Sequence, residues 1–420
     1  MQANKIGHVV GSLCLVWLTT GTGFAAAERG RSAWWPQFHG PDRTNMAPDT
    51  GLLKRWPEGG PRLVWRYGDC GRGFSTVTVA EGKVFTTGDF GDREFIIALD
   101  IEGRLLWKAQ NGRSWRGPYP GARTIPTYSD GLLYQLNPVG RLAAFRADTG
   151  QQVWAVDLVS RYDGRYGTWA MAENVAVDGE RVFCVPGGTK AMVAALGKKT
   201  GRTVWTNTAI RETAAYCSPV IVTWAGYRQL ITLTQKSVIS VDLKTGQLLW
   251  SYPHVTRHDQ NVTMPLFHDG YVLATSGHHG GSTLLKINPD GRGVSEVWSD
   301  RQLDNCHGGL MLLDGYLYGS ACRSGGKGFF CADFLTGELQ WRDKKMRKVS
   351  LTWADGMLYA LTDRGTVLLM AVSPQGYRVA GQLEVPGGDF GPCLSHPVVC
   401  SGRLYVRYDN NLCVYDLRGS

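Results

Sequence analysis

Thr-Gly followed by three residues and a tryptophan recurs along this chain. KTGQLLW ends at Trp250, DTGQQVW at Trp154, KTGRTVW at Trp205 and LTGELQW at Trp341, with IEGRLLW at Trp107 as a shortened copy. With Trp65 and Trp298 added, the tryptophans are spaced by 42, 47, 51, 45, 48 and 43 residues. A period near ~45 residues of strand-like sequence is the spacing of four-stranded propeller blades.

Each unit repeats one internal grammar. A first apolar strand meets a tight Gly turn, as in VAEGKVF (79–85), YSDGLLY (128–134), FHDGYVL (267–273) and WADGMLY (353–359). Gly supplies the positive φ such hairpins need. A third strand such as FIIALD (95–100) or SVISVDL (237–243) then reaches the Thr-Gly turn, and a fourth ends at the Trp. Asp and Thr side chains can satisfy the turn backbone, while each Trp offers a large apolar face to bury between neighbouring sheets and an N–H to anchor it.

Six units end at Trp107, Trp154, Trp205, Trp250, Trp298 and Trp341. A seventh, about 350–385, carries VAGQLEV where the Trp belongs, and the last unit has three strands and stops. Its missing strand is expected from PRLVW, 61–65, which would close the ring and remove both sheet edges. The predicted fold is all-β: an eight-bladed propeller of four-stranded antiparallel blades over 61–420. Residues 28–60 contain Trp34, Trp35, Phe38 and Trp56 without a period, which predicts an ordered arm packed on the ring.

Residues 1–27 read as a secretory signal, with one Lys, an apolar run from Val9 to Leu18 and an exit at Ala25-Ala26-Ala27. Leu13 before Cys14 argues against a lipid anchor. An exported, periplasmic or extracellular monomer without a membrane span is expected. The net charge of +9 favours acidic partners, and outside the cytoplasm these are not nucleic acids. Of the nine cysteines beyond Cys14, Cys322 and Cys331 flank a short loop that a disulfide could close, and several others read as small buried hydrophobes.

At these positions the chain resembles the pyrroloquinoline quinone (PQQ) repeat propellers, whose consensus sets Ala, Asp and Thr-Gly ten, eight, five and four residues before the Trp. Asp242, Thr245 and Gly246 match it before Trp250, and Asp333, Thr336 and Gly337 match it before Trp341; Ser240 and Cys331 stand in place of Ala. The WWPQFHGPDRTN opening is similar to the start of short, exported PQQ-like propellers. Two branches are implied: quinoprotein alcohol dehydrogenases, and non-catalytic scaffolds such as the BamB outer-membrane assembly factor. The dehydrogenase branch implies PQQ with Ca²⁺, an acidic cation site and a vicinal Cys-Cys, and this chain has no Cys-Cys. Asp409-Asn410-Asn411 reads as a turn before it reads as a calcium ligand set.

The resemblance also implies that connections from each outer strand to the next inner strand line one mouth of the channel. In this chain they supply Arg123, Arg165, Trp169, Asn174, Arg211, Tyr216, His258, Asn261, Asn305 and His307 as candidate funnel residues. A polar, cationic funnel suits an anionic ligand or polymer. No metal site is expected. His254 and His258 have no helix to align them, His278 and His279 would face opposite sides of a strand, and Cys306-His307 lacks partners. No catalytic residue is assigned and no cofactor is expected. The leading expectation is a non-catalytic scaffold that binds a cell-envelope protein or an anionic polymer. A PQQ-dependent dehydrogenase and a polysaccharide-binding or -processing propeller are the alternatives.

Overall fold

A computed structural model describes Met1 and residues 33–419, save 259 and 323–326. The signal segment and Cys14 lie outside the described residues.

Eight antiparallel four-stranded blades follow one another along the chain, and the arm adds a fifth, parallel strand to the sheet of blade 7. Blade 1 comprises Thr78–Ala80, Lys83–Phe90, Arg93–Asp100 and Leu105–Arg113, and blades 2 to 7 repeat this order up to Gly376–Glu384. Blade 8 has Val398–Cys400, Arg403–Tyr408 and Asn411–Asp416 from the C-terminus, and its outer strand is Leu63–Tyr67. Leu63 faces Tyr415, Trp65 faces Val414 and Tyr67 faces Leu412, so the two chain ends close the ring. The closing strand starts two residues later than expected, because Pro61 has no N–H to give the ladder. Among the described residues one helix forms, Leu158–Tyr162, started by Asp157 Oδ1 accepting the Ser160 N–H at 2.8 Å. No described helix is long and apolar enough to cross a membrane.

The Thr-Gly-Trp signature has a two-part physical basis. Within a blade, Asp242 Oδ1 accepts both the Thr245 N–H (2.7 Å) and the Thr245 hydroxyl (2.8 Å), and Asp333 holds Thr336 in the same way. Between blades, Gly is the seat for the preceding blade's indole. A Cβ on Gly246 would lie 2.5 Å from the Trp205 ring, and Gly103, Gly150, Gly201 and Gly337 seat Trp65, Trp107, Trp154 and Trp298 alike. A β-bulge beside each of the seven tryptophans breaks the outer-strand register, which is how a bulge re-aims a side chain. The Trp65, Trp154, Trp205, Trp298 and Trp341 indoles donate to a carbonyl of the next blade at 2.7–3.2 Å. Those of Trp107 and Trp250 have no such acceptor.

Blade 7 has the same bulge, with Gly381 at the Trp position. The arm fills that gap. Trp56 is buried, its backbone N–H donates to Ala380 O at 3.1 Å while its indole N–H has no acceptor, and a Cβ on Gly381 would meet Trp56 Cβ at 2.5 Å. Trp56 lies 6.0 Å from Tyr359 at 51°, close to the 6.0 Å and 41° of Tyr134 with Trp154 inside blade 2.

The rest of the arm crosses the ring. Trp35 bridges Val79 of blade 1, Arg43 reaches the entries to blades 3 and 4, and Met46–Ala47 runs parallel to Trp353–Ala354 of blade 7. Arg43 donates to Asn174 O, Pro219 O and Val175 O at 3.2, 2.7 and 2.6 Å, so backbone carbonyls of two entry loops surround one buried guanidinium.

Cys322 pairs with Cys306, not with Cys331 (Cα–Cα 5.3 Å). Cys331 sits mid-strand opposite Tyr318 and Trp341, inside an interblade core. The seven other described cysteines are free and buried.

Candidate functional site

All eight entry loops and the arm converge on a hub cavity of ≈ 390 Å³. That volume suits a small organic ligand or a protruding side chain. Phe38 and His39 of the arm form one part of the wall, so the segment that crosses the ring also bounds the cavity.

Of the expected funnel residues, Arg123, Trp169, Asn174, Tyr216 and His307 line the cavity. Trp169 and Tyr216 pack edge to face at 5.9 Å. Arg123 donates to the carbonyls of Trp169 (2.9 Å), Tyr119 (2.8 Å) and Pro118 (3.0 Å), and its guanidinium stands 6.0 Å from the Phe74 centroid. It therefore ties two entry loops together and projects positive potential into the hub. Asn174 is buried; its Oδ1 accepts the Ile125 N–H at 2.8 Å.

Five others stand elsewhere. Asn261 and Asn305 are buried loop organisers: Asn261 Nδ2 donates to Thr234 O and His254 O, and Asn305 Nδ2 donates to Gly309 O and Ser320 O. Arg165, Arg211 and His258 are exposed, outside the cavity wall. Sequence reading missed Lys348, Phe74, Tyr119, His396, and the arm residues Phe38 and His39, all of which line the hub. Lys348 lies in a basic entry loop and His39 in the WWPQFHGPDRTN stretch, so the signal was present without a way to orient it.

The hub histidines form a neutral chain. His39 Nε2 lies 3.2 Å from His396 Nδ1, and His396 Nε2 lies 2.8 Å from His307 O. A carbonyl can only accept, so His396 donates from Nε2 and takes the His39 N–H on Nδ1. Burial lowers His307 and His396 to about 4 and His39 well below its usual value, which keeps these imidazoles uncharged at neutral pH. His254, also lowered to about 4 by burial, bonds Ser276 Oγ at 3.1 Å. His278 and His279 sit in a turn with φ of 53° and 69°, not on a strand.

Two acid–base clusters stand behind the wall. Asp89 is raised to about 7 by burial, which outweighs the pull of Arg123, Arg407 and Arg72; Glu94 is raised as well, with Oε1 accepting from Gln135 at 2.6 Å. Arg407, fully buried, links Ser75 Oγ (2.5 Å), Thr86 Oγ1 (2.8 Å) and Asp409 O (3.0 Å) across the blade 8–blade 1 seam. Asp409 stays in a turn, its Oδ2 accepting the N–H groups of Gly388 and Phe390.

Glu173, buried beside Arg43, is raised to about 8 by burial. The folded state therefore binds this proton where the unfolded state has released it, and stability from this group falls as pH rises toward 8. Unfolded-state histidines titrate near pH 6.5 and oppose this decline, so the Glu173 contribution, a loss of roughly 1.5–2 kcal/mol between pH 6.5 and 8, is read as the difference between the parent chain and Glu173→Gln. Glu173→Gln should make the urea midpoint fall less, or rise more, with pH across that window; an unchanged slope would remove Glu173 as a contributor.

A family model described as outer membrane protein assembly factor BamB matches residues 92–343, more than half of the chain. The chain belongs to this PQQ-like propeller family. BamB of Shewanella oneidensis is 23% identical over 239 residues, 54% of this chain and 53% of that protein. Quinohemoprotein alcohol dehydrogenase ADH-IIG of Pseudomonas putida is 31% identical over 153 residues, 34% of this chain and 21% of that enzyme. The chain thus spans about half, or less, of these relatives. The crystal structure of BamB from Moraxella catarrhalis aligns with a TM-score of 0.58 at 14% identity, covering 81% of this chain and 99% of that one. A europium-containing methanol dehydrogenase aligns at 0.66 and 12%, covering 90% and 89%. Both structural likenesses concern the fold.

The PQQ-like fold raises the question of a quinone with its cation. The hub offers aromatic faces and cations, yet the one carboxylate in the described wall, Asp363, already accepts from Arg347 Nε at 2.7 Å. The described hub wall itself provides no acidic cluster for a hard divalent cation, the Asp89–Glu94 pair standing behind it, and the one group of three metal-capable side chains among the described residues is His278 with Cys306 and Cys322. The residues do not fit a cation-bound quinone.

Proposed function

We propose that this chain is a non-catalytic binding propeller of the cell envelope whose hub receives a carboxylate carried on a flat or apolar body. One observation carries the reading: Arg123 and Lys348 converge with Phe74, Trp169 and Tyr216 on a cavity whose only described carboxylate is already ion-paired. Such a wall attracts an anion and supplies a surface on which a ring or chain can lie. The occupant is a small carboxylate or the acidic end of an envelope partner, and the second is the scaffold role of which BamB is the named example among the relatives.

Titrating the purified chain with aromatic and aliphatic dicarboxylates, followed by calorimetry and thermal shift, tests this. A charge-assisted contact is worth roughly 1.5–3 kcal/mol, so Lys348→Met should weaken binding by about ten- to a hundred-fold, and Trp169→Ala should weaken the aromatic ligands selectively. No binding by any carboxylate would sink the reading. Stable PQQ uptake with calcium and dye-linked alcohol oxidation would replace it with the dehydrogenase.

A further inference from the structure

The hub wall also holds a group of soft ligands that carboxylate binding does not use. Cys306 stands in the entry loop to blade 6 and Cys322 just beyond that blade's second strand, Tyr316–Ser320. His278 comes from blade 5, in the turn between Tyr271–Ser276 and Gly281–Ile287. One imidazole nitrogen and the two sulfurs lie within 4.8 Å of one another, and all three residues line the cavity. Gly277 makes the approach feasible, since a Cβ there would fall 2.6 Å from both sulfurs. Lys348 Nζ is 3.8 Å from Cys322 Sγ, where a cation favours thiolate over thiol.

We propose that Cys306, Cys322 and His278 form a thiol-gated site for a thiophilic d¹⁰ cation, Cu(I) or Zn(II). With the disulfide intact neither sulfur carries the charge that metal binding requires. A dithiol reductant opens the site: its two sulfurs join, the Cys306–Cys322 bond breaks, and two electrons and two protons pass to the cysteines. Cation binding then releases those two protons and leaves two thiolates and one imidazole as ligands. Two thiolates with one nitrogen select soft metals over calcium or magnesium. The seven other described cysteines are buried and none lines the hub, so a reductant in the cavity meets this pair.

The test uses the full chain, oxidised and after reduction and anaerobic desalting. Zn(II) is titrated against a chromophoric chelator and Cu(I) against a bicinchoninate competitor, which decides between the two cations. Native thiol counting should rise by two on reduction. About one equivalent of one cation should bind the reduced chain and none the oxidised chain. His278→Ala, which leaves the disulfide in place, should weaken binding by at least about ten-fold, and Cys306→Ser/Cys322→Ser should abolish it. Trp169→Ala, which impairs aromatic carboxylate binding and is no part of the sulfur–imidazole group, should leave cation binding unchanged, so the two readings fail separately. Equal binding in both redox states, or full-affinity binding by the reduced His278→Ala chain, would overturn the proposal. Circular dichroism checks that the double variant folds; if it does not, the His278→Ala comparison decides.

Discussion

Trp56→Ala should cost the propeller about 3–5 kcal/mol, the range for deleting a fully packed tryptophan, although Trp56 belongs to no blade. Every other indole of this series is delivered by the outer strand of its own sheet, and blade 7 has Gly381 there. The arm brings Trp56 to that position, against Tyr359 and over the flat backbone of Gly381. Removing the ring leaves Tyr359, already buried, facing a void between arm and blade. A urea titration gives the loss directly, and a second substitution makes it specific. Gly381→Ala places a methyl where Trp56 Cβ stands, and overpacking of this sort costs about 1–3 kcal/mol. In a Trp56→Gly background, where the clashing Cβ is absent, Gly381→Ala should cost less, so those two changes should be strongly non-additive. Additive effects would mean that Trp56 does not occupy the vacant blade position.

This substitution also shows which parts of the molecule the sequence discloses. Turn and seat are encoded locally: Asp, Thr, Gly and Trp lie within nine residues of one another, as from Asp242 to Trp250, and each turn closes on its own atoms. Repetition of that chemistry reveals period, blade count and ring closure. The replacement of a missing Trp by residue 56 is not local. Trp56 and Gly381 are far apart in the chain, and nothing in VAGQLEV says what covers it. The hub is harder to read for the same reason. Its wall takes one or a few residues from each of eight loops, so polarity marks the loops without marking which side chains turn inward. Asn261 and Asn305 are as polar as Asn174, yet they spend their amides on the backbone of their own neighbourhood. Lys348 sits in the segment Lys344-Lys345-Met346-Arg347-Lys348, whose other cations do not line the hub. His278 and the cysteines of blade 6 come together only because two adjacent blades place their loops edge to edge.

Arg43→Met should be nearly as damaging, at about 3–5 kcal/mol, because it removes one member of a buried charged arrangement and strands the others. Three carbonyls from the entries to blades 3 and 4 would lose their donor, and Glu173 would lose the one cation whose field favours its ionised form. The sign of the second effect is fixed. Without Arg43 the Glu173 carboxyl is held protonated to still higher pH, so the alkaline decline in stability should move upward in pH. Combining Arg43→Met with Glu173→Gln removes the guanidinium and the titrating carboxyl together, and above pH 8, where Glu173 ionises beside Arg43, the double variant should be less damaged than the sum of the two single losses. Limited proteolysis supplies a structural readout: with its central anchor gone, the arm between Met46–Ala47 and the Leu63–Tyr67 strand should be cleaved faster while the blades stay intact. Strict additivity, together with an unmoved pH profile, would show that Arg43 holds the loops without sensing Glu173. The arm's crossing of the hub would then rest on hydrogen bonds to backbone carbonyls and not on a shared buried charge.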